Sequence, residues 1–328
     1  MPNAKFILQA AAEVSPVAKV GGLADVVGSL PPALKQLGLR SDVIIPWYAS
    51  VARKLKATPV GHFTVRLGDT SERATLVKAK LGSFWLYGIK HRFFSGSSIY
   101  QPSGTVQTTT DVERFTFFSR AVVASIEAKL LSPDLIHCHD WHAGLVPTFL
   151  DYSAVHYGLP FIPTVFTIHN IAHQGQQMQV AVDQRRLAMN LELAVLEDSL
   201  DDDQINIMKI AILTADRLTT VSPSYAHEIL KSEESAGLSE FLRRRRRHLS
   251  GILNGLDYTS FNPQSDTFLT QKYSIKNYKK GKQANRQSLL RQFNLPDNGN
   301  LLFGMVTRLV EQKGLDLVLR AWPKMAQE

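Results

Sequence analysis

Cysteine is all but missing from this chain. Cys138 stands alone among 328 residues, which excludes an intramolecular disulfide and fits the reducing cytoplasm. Also missing is any apolar run approaching the roughly 20 residues needed to cross a bilayer. Near the amino terminus one lysine precedes a short apolar stretch, Phe6 to Ala12, and then Glu13. That stretch is too short for a signal peptide and reads as a first strand. Internal repeats and low-complexity tracts are absent as well.

What is present is ordinary globular material. Apolar residues make up 44% and charged residues 20%, enough to bury real cores. The length exceeds one usual domain, so one large or two smaller domains are expected. The formal net charge is +8, part of it from five consecutive arginines, Arg243 to Arg247. Such a run raises nucleic acid as a partner. It lies, however, in a helical pattern with Phe241, Leu242, Leu249 and Ile252, which places most of the arginines on a solvated face. A basic cleft for a phosphorylated small molecule uses the same charge better, and neither nucleic acid nor a membrane is expected as a partner.

Strand-like runs alternate with helical patterns. Phe6–Ala11, Asp42–Pro46, Leu135–Cys138, Thr164–His169 and Leu218–Val221 read as strands. Ala24–Leu37, Val112–Leu130, Ala143–Tyr157, Asn206–Ala215 and Ser224–Leu230 read as helices. This alternation predicts an α/β fold with a parallel, doubly wound sheet. Between 59 and 100 the short alternating pieces His62–Leu67, Ala74–Leu81 and Ser83–Ile89 predict a β-hairpin elaboration. A second region follows Asn254-Gly255-Leu256-Asp257. It holds a helix from about Gly281 to Phe293, a strand over Asn300–Thr307 and a helix over Gly314–Ala326. From Asn300 to the end there are one strand and one helix, which cannot bury a sheet alone, so one complete domain and the opening of a second are expected, with boundaries at 1–250, a hinge at 251–263, and 264–328.

The stretch richest in chemistry is Lys19-Val20-Gly21-Gly22-Leu23-Ala24-Asp25. It joins the first strand to the first helix. Free backbone N–H groups and the helix dipole make such a junction an anion site. Adjacent glycines admit a bulky group, Lys19 adds positive charge, and Asp25 sits in the first helical turn. A plain tight turn is the bland alternative. His137-Cys138-His139-Asp140-Trp141-His142 follows another strand, with His137 and His139 on one side. Metallo-β-lactamase-like hydrolases use His-x-His-x-Asp-His; here the aspartate comes one place early, and no metal is expected. The other reading has His139, Asp140 and His142 closing the mouth of a polar cleft at a strand's carboxyl end, where open α/β sheets bind ligands. Thr167-Ile168-His169-Asn170, with Gln174-Gly175 after it, repeats that layout. Arg308 and Lys313 flank a later strand-to-helix turn and suit a diphosphate; taken alone they read as two solvated surface cations. Asn254-Gly255 reads as a hinge.

Together these segments resemble the glycogen and starch synthases. The resemblance runs from about residue 5 to the end, through Lys19–Pro31, His137–Pro147, Thr167–Gly175, Asp202–Ile229, Gly251–Pro263 and Thr307–Val318 in the family's order; Val20 stands where the family usually has threonine. It implies the glycosyltransferase-B architecture, two Rossmann-like domains across a cleft. It also implies retaining transfer of glucose from a nucleotide sugar, usually ADP-glucose in bacteria, to the non-reducing end of an α-1,4-glucan, with no metal or other cofactor. By motif, Lys19, Gly21 and Gly22 would meet the donor's phosphates and sugar, and Asp25 the sugar and acceptor side. Tyr100 and Asp140 would shape the acceptor cleft, and His169 would contact the transferred glucose. Asn254 would support the donor, and Arg308 and Lys313 would neutralise the leaving diphosphate. The family's acidic residue near the sugar and its base pocket are not found in the 328 residues. The expectation is therefore a fragment with little activity alone; a glucan-binding remnant is the alternative.

Overall fold

The computed structural model describes residues 6–67, 70–96, 98–101, 110–175, 200–201, 204–258, 261–307, 309 and 313–325. The chain divides into two compact units, Met1–Gly255 and Leu256–Glu328.

The first unit is built on nine strands: β1 (Phe6–Ala10), β2 (Arg40–Pro46), β3 (Thr58–Leu67), β4 (Thr70–Leu81), β5 (Phe84–Lys90), β6 (Leu135–His139) and β7 (Thr164–Ile168), then Arg217–Thr220 and Leu249–Gly251. Their order across the sheet is Leu249–Gly251, Arg217–Thr220, β7, β6, β1, β2, β5, β4, β3. From Leu249–Gly251 through β5 all pairs are parallel. β5, β4 and β3 form an antiparallel extension of the same sheet, the expected elaboration. The parallel strands read as continuous apolar runs because helices cover both faces; Leu8, Ala10, Val43, Ile44, Ile45, Ile136 and Phe166 have no exposed surface.

The helices follow from stripe and cap. α1 (Gly22–Gln36) buries Leu23, Ala24, Val27 and Pro31, one helical stripe. α2 (Ala49–Ala52) is a single turn. α3 (Asp111–Glu127) starts at a capping box in which Thr110 accepts from the Glu113 amide and Glu113 accepts from the Thr110 amide. α4 (Val146–Tyr157) opens with Pro147 in its first turn and stops at Gly158, at φ 65°.

Two sequence expectations fail. The arginine run is not one continuous helical face. The helix ends at Arg244, a 3-10 turn covers Arg246–His248, and Leu249–Gly251 joins the sheet beside Arg217–Thr220. Arg245 is half-buried and donates to the carbonyls of Leu213 and Ala215, at the carboxyl end of the helix Ile207–Thr214, where cations are favoured. Arg243 donates to the Leu230 carbonyl at 2.8 Å and Arg244 pairs with Glu240 at 2.6 Å.

In the second unit, helices form at Tyr278–Gln292 and Leu315–Met325, as expected apart from their bounds. Asn300–Thr307 is not a strand. A strand exists only as a member of a hydrogen-bonded ladder, and the described residues of this unit contain no strand for it to pair with. No described helix is long and apolar enough to cross a membrane.

Candidate active site at the carboxyl edge of the sheet

β1, β6 and β7 lie side by side and parallel, so the segments that follow them emerge at one edge, as the sequence implied. After β1 the chain passes through Ala11 and Ala12, both fully buried, to Glu13, only 3% exposed. A buried carboxylate needs donors, and Glu13 finds three. It accepts from the amides of Val20 at 2.6 Å and Gly21 at 2.9 Å, and from the Tyr100 hydroxyl at 2.5 Å. The turn amides of Val20 and Gly21 are therefore engaged, not free. Their partner is a buried acid directly behind the first strand, and that position is the one signal of its role in the sequence.

The glycines themselves remain open. A Cβ added at Gly21 or Gly22 would meet nothing within 4 Å, and Gly21 is extended at φ −137°. Neither packing nor backbone conformation within the chain calls for glycine here. No side chain caps α1, whereas Thr110, Asn206 and Ser222 cap the helices that follow them. The helix start of α1 thus has no side-chain cap, and the nearest carboxylate contact is that of Glu13 on the amides of Val20 and Gly21 just ahead of it. Lys19 lies beside them and pairs with Asp25 at 2.6 Å, both side chains nearly half exposed.

The β6 end is different in character. Asp140 adopts φ 53°, a left-handed conformation unusual for a non-glycine residue, and is buried. Its Oδ1 accepts from the amides of His169 at 2.8 Å and Asn170 at 3.3 Å. Burial raises its pKa to about 7, against the lowering effect of those two hydrogen bonds. Asp140 thus ties the β6 end to the β7 end and fixes the backbone of His169.

The histidines sort by burial. His139 is fully buried. Its Nε2 contacts Gln9 Oε1 at 2.8 Å and its Nδ1 contacts His169 Nε2 at 3.0 Å. His137 stacks on it at 4.1 Å between ring centroids and bonds to Thr167 through Nε2 at 2.6 Å. His142 packs among Phe115, Trp141 and Tyr100. Burial lowers the pKa of His137 and His142 to about 3 and that of His169 to about 4. His139 and His142 therefore do not close a cleft mouth; both are interior groups kept neutral by desolvation. His137, within β6, and His169, just past the end of β7, are both half-buried. Among the described residues no group of three or more His, Cys, Asp or Glu is arranged to hold a metal ion.

Gln174 is a strap and not an open ligand group. It donates to the carbonyls of Ile171 at 3.1 Å and Ala236 at 2.8 Å and accepts from Asn206 at 2.5 Å. Asn254 is exposed near the end of the first unit. Arg308 lies outside the described residues. Lys313 is exposed in the second unit, just ahead of Gly314 and the helix Leu315–Met325. The first unit thus gathers Lys19, Gly21, Gly22, Asp25, Tyr100, Asp140 and His169 at its carboxyl edge, through Glu13 on one side and Asp140 on the other.

Comparison with known proteins gives a consistent result. The family described as the starch synthase catalytic domain matches residues 6–244. The chain is 39% identical to a glycogen synthase 2 of Geobacter metallireducens, covering 98% of this chain and 67% of that protein. It is 36% identical to a glycogen synthase of Exiguobacterium sibiricum, covering 96% and 66%. The solved catalytic domain of starch synthase IV from Arabidopsis thaliana, bound to ADP and acarbose, superposes with a TM-score of 0.84 at 30% identity, over 99% of this chain and 66% of that one. The chain thus spans about two thirds of the length of the relatives it matches.

Proposed function

The chain belongs to the family of starch synthase catalytic domains, and on that premise we propose that it serves glucosyl transfer from ADP-glucose to the non-reducing end of an α-1,4-glucan. The observation that carries the reading is the β1–α1 turn. Two glycines surrounded by open space and an uncapped helix start, with Lys19 alongside, make a berth for a sugar diphosphate. The ADP held by the Arabidopsis relative favours an adenine nucleotide as donor over a uridine one.

In this reading, Gly21 and Gly22 make room for the donor's phosphates and sugar, the α1 amides from Gly22 onward and Lys19 receive the phosphates, and Lys19 leaves Asp25 to do so. Asp25 then turns to the sugar and acceptor side. His169 meets the transferred glucose, on a backbone pinned by Asp140. Asp140 and Tyr100 shape the acceptor side, and Asn254 supports the donor. Arg308 and Lys313 neutralise the diphosphate as it leaves. Cleavage of the glycosidic bond generates an oxocarbenium-like centre and a departing anion. Cations fixed where that anion develops stabilise the transition state more than the ground state. Because lysine and arginine supply the positive charge, no metal or other cofactor takes part.

Titration of the chain with ADP-glucose, UDP-glucose and maltoheptaose, followed by an assay for oligosaccharide extension with and without EDTA, tests this. ADP-glucose binding is expected, weakened about tenfold or more in Lys19→Ala, the loss of one charge-assisted contact, and indifferent to EDTA. Binding of maltoheptaose with no affinity for either nucleotide sugar would instead favour a glucan-binding module. Failure of all three ligands to bind would overturn the reading.

A further inference from the structure

The polar row buried behind His169 has a direction. Ser41 on β2, Gln9 on β1, His139 on β6 and His169 just past β7 come from four strands adjacent in that order in the sheet. Gln9 Nε2 donates to Ser41 Oγ at 2.9 Å. The carboxamide oxygen of Gln9 is then the atom facing His139 Nε2 at 2.8 Å, and a carboxamide oxygen only accepts. His139 therefore carries a proton on Nε2. His139 is fully buried, and desolvation holds its pKa well below the ordinary range, so the ring is neutral and its Nδ1 is an acceptor. The 3.0 Å contact to His169 Nε2 is then a hydrogen bond only if His169 donates. His169, likewise neutral, keeps its lone pair on Nδ1. That atom has no hydrogen-bond partner among the described residues, and its ring is half-buried.

We propose that Ser41, Gln9 and His139 are positioning residues that lock His169 in the Nε2–H tautomer and present its Nδ1 to the ligand as an acceptor of a hydroxyl proton. Each member of the row is satisfied by its neighbour, so the polarity set by the Gln9 carboxamide, whose amide group is held by Ser41, passes through His139 to the half-exposed His169. A ligand hydroxyl suits such an Nδ1; a phosphate or carbonyl oxygen meets a lone pair with a lone pair. The ligand half of the proposal rests on the reading of His169 as the group that meets the transferred sugar. The tautomer does not.

The test is two-bond proton–nitrogen correlation on the full chain carrying 15N-labelled histidine, at pH 7.5. Nε2–H tautomers are expected at both His139 and His169. Gln9→Met removes the acceptor at similar volume and leaves His169 as a mixture of tautomers. Where that variant does not fold, Ser41→Ala frees the Gln9 amide to turn, and the same mixture is expected. An Nδ1–H tautomer at His169 in the unmodified chain, or no change at His169 in a folded variant, overturns the proposal. In parallel, Gln9→Met is expected to weaken ADP-glucose about fivefold, one net hydrogen bond, and ADP by less than about twofold. Equal losses for the two ligands would overturn the ligand half. Failure of ADP-glucose to bind the unmodified chain would count against the proposed function and leave the tautomer result standing.

Discussion

At the scale of single residues, two glycines near the site are there for opposite reasons. Gly175 sits at φ +64°, and a Cβ on it would lie 2.3 Å from the Trp141 ring. Gly21 is extended, with open space around it. Gly175→Ala should destabilise the fold by about 2–4 kcal/mol, from a left-handed alanine and an overlap with a packed ring. Gly21→Ala should change stability by less than about 0.5 kcal/mol while abolishing detectable ADP-glucose binding. Urea unfolding of both variants, with a binding titration of Gly21→Ala, checks the pair; unimpaired binding in Gly21→Ala would remove the turn from the donor site. From sequence, both residues looked alike, because a glycine does not announce whether it makes room for its own chain or for something else. Glu13 was missed for a related reason. Its partners, Tyr100 and two backbone amides, are brought to it by folding, and only its place directly behind a buried strand hinted at a role. His137, His139 and His142 were legible as a cluster, but not that His139 and His142 are interior groups.

At the scale of elements, the carboxyl ends of β6 and β7 concentrate buried titratable groups, and this gives stability a pH dependence of known sign. His137 and His142, at about 3, and His169, at about 4, lie below the ordinary 6.5 because burial disfavours the charged ring. Their contribution is complete above pH 6.5 and is lost as pH falls toward 4 and 3. Asp140, raised by burial from 3.8 to about 7, acts oppositely: its contribution is present below 3.8 and lost as pH rises through 7. Three histidines outweigh one aspartate, so Tm should fall steadily between pH 6.5 and 3.5. Asp140→Asn, which removes the opposing contribution, should fall more steeply. Differential scanning calorimetry across that range decides; a flat Tm from pH 6.5 to 4.5 would mean that these imidazoles are not desolvated as described. The strands carrying these groups were legible because parallel strands buried on both faces are uninterrupted apolar runs. Leu249–Gly251 was not, since three residues after an arginine run carry no periodicity of their own. Asn300–Thr307 has the composition of a strand, but among the described residues of its unit no ladder exists to make it one.

At the scale of the whole molecule, the family was readable because several separated motifs occur in one order, and the match over residues 6–244 bears this out. The doubly wound sheet and its antiparallel extension were readable from alternation alone. What sequence could not supply was how each motif is held: Lys19 on Asp25, the turn on Glu13, and His169 between Asp140 and a buried polar row. In the proposed function, the carboxyl edge of the first unit's sheet, at the glycine turn and His169, receives a nucleotide sugar. The most direct test is a backbone amide NMR titration of the 15N-labelled chain with ADP-glucose. Saturable shifts shared by Gly21, Gly22, Leu23, His169 and Asn170 are the predicted result. Saturable shifts confined to other residues, or no shifts in these five at millimolar ligand, would contradict a donor site at this edge.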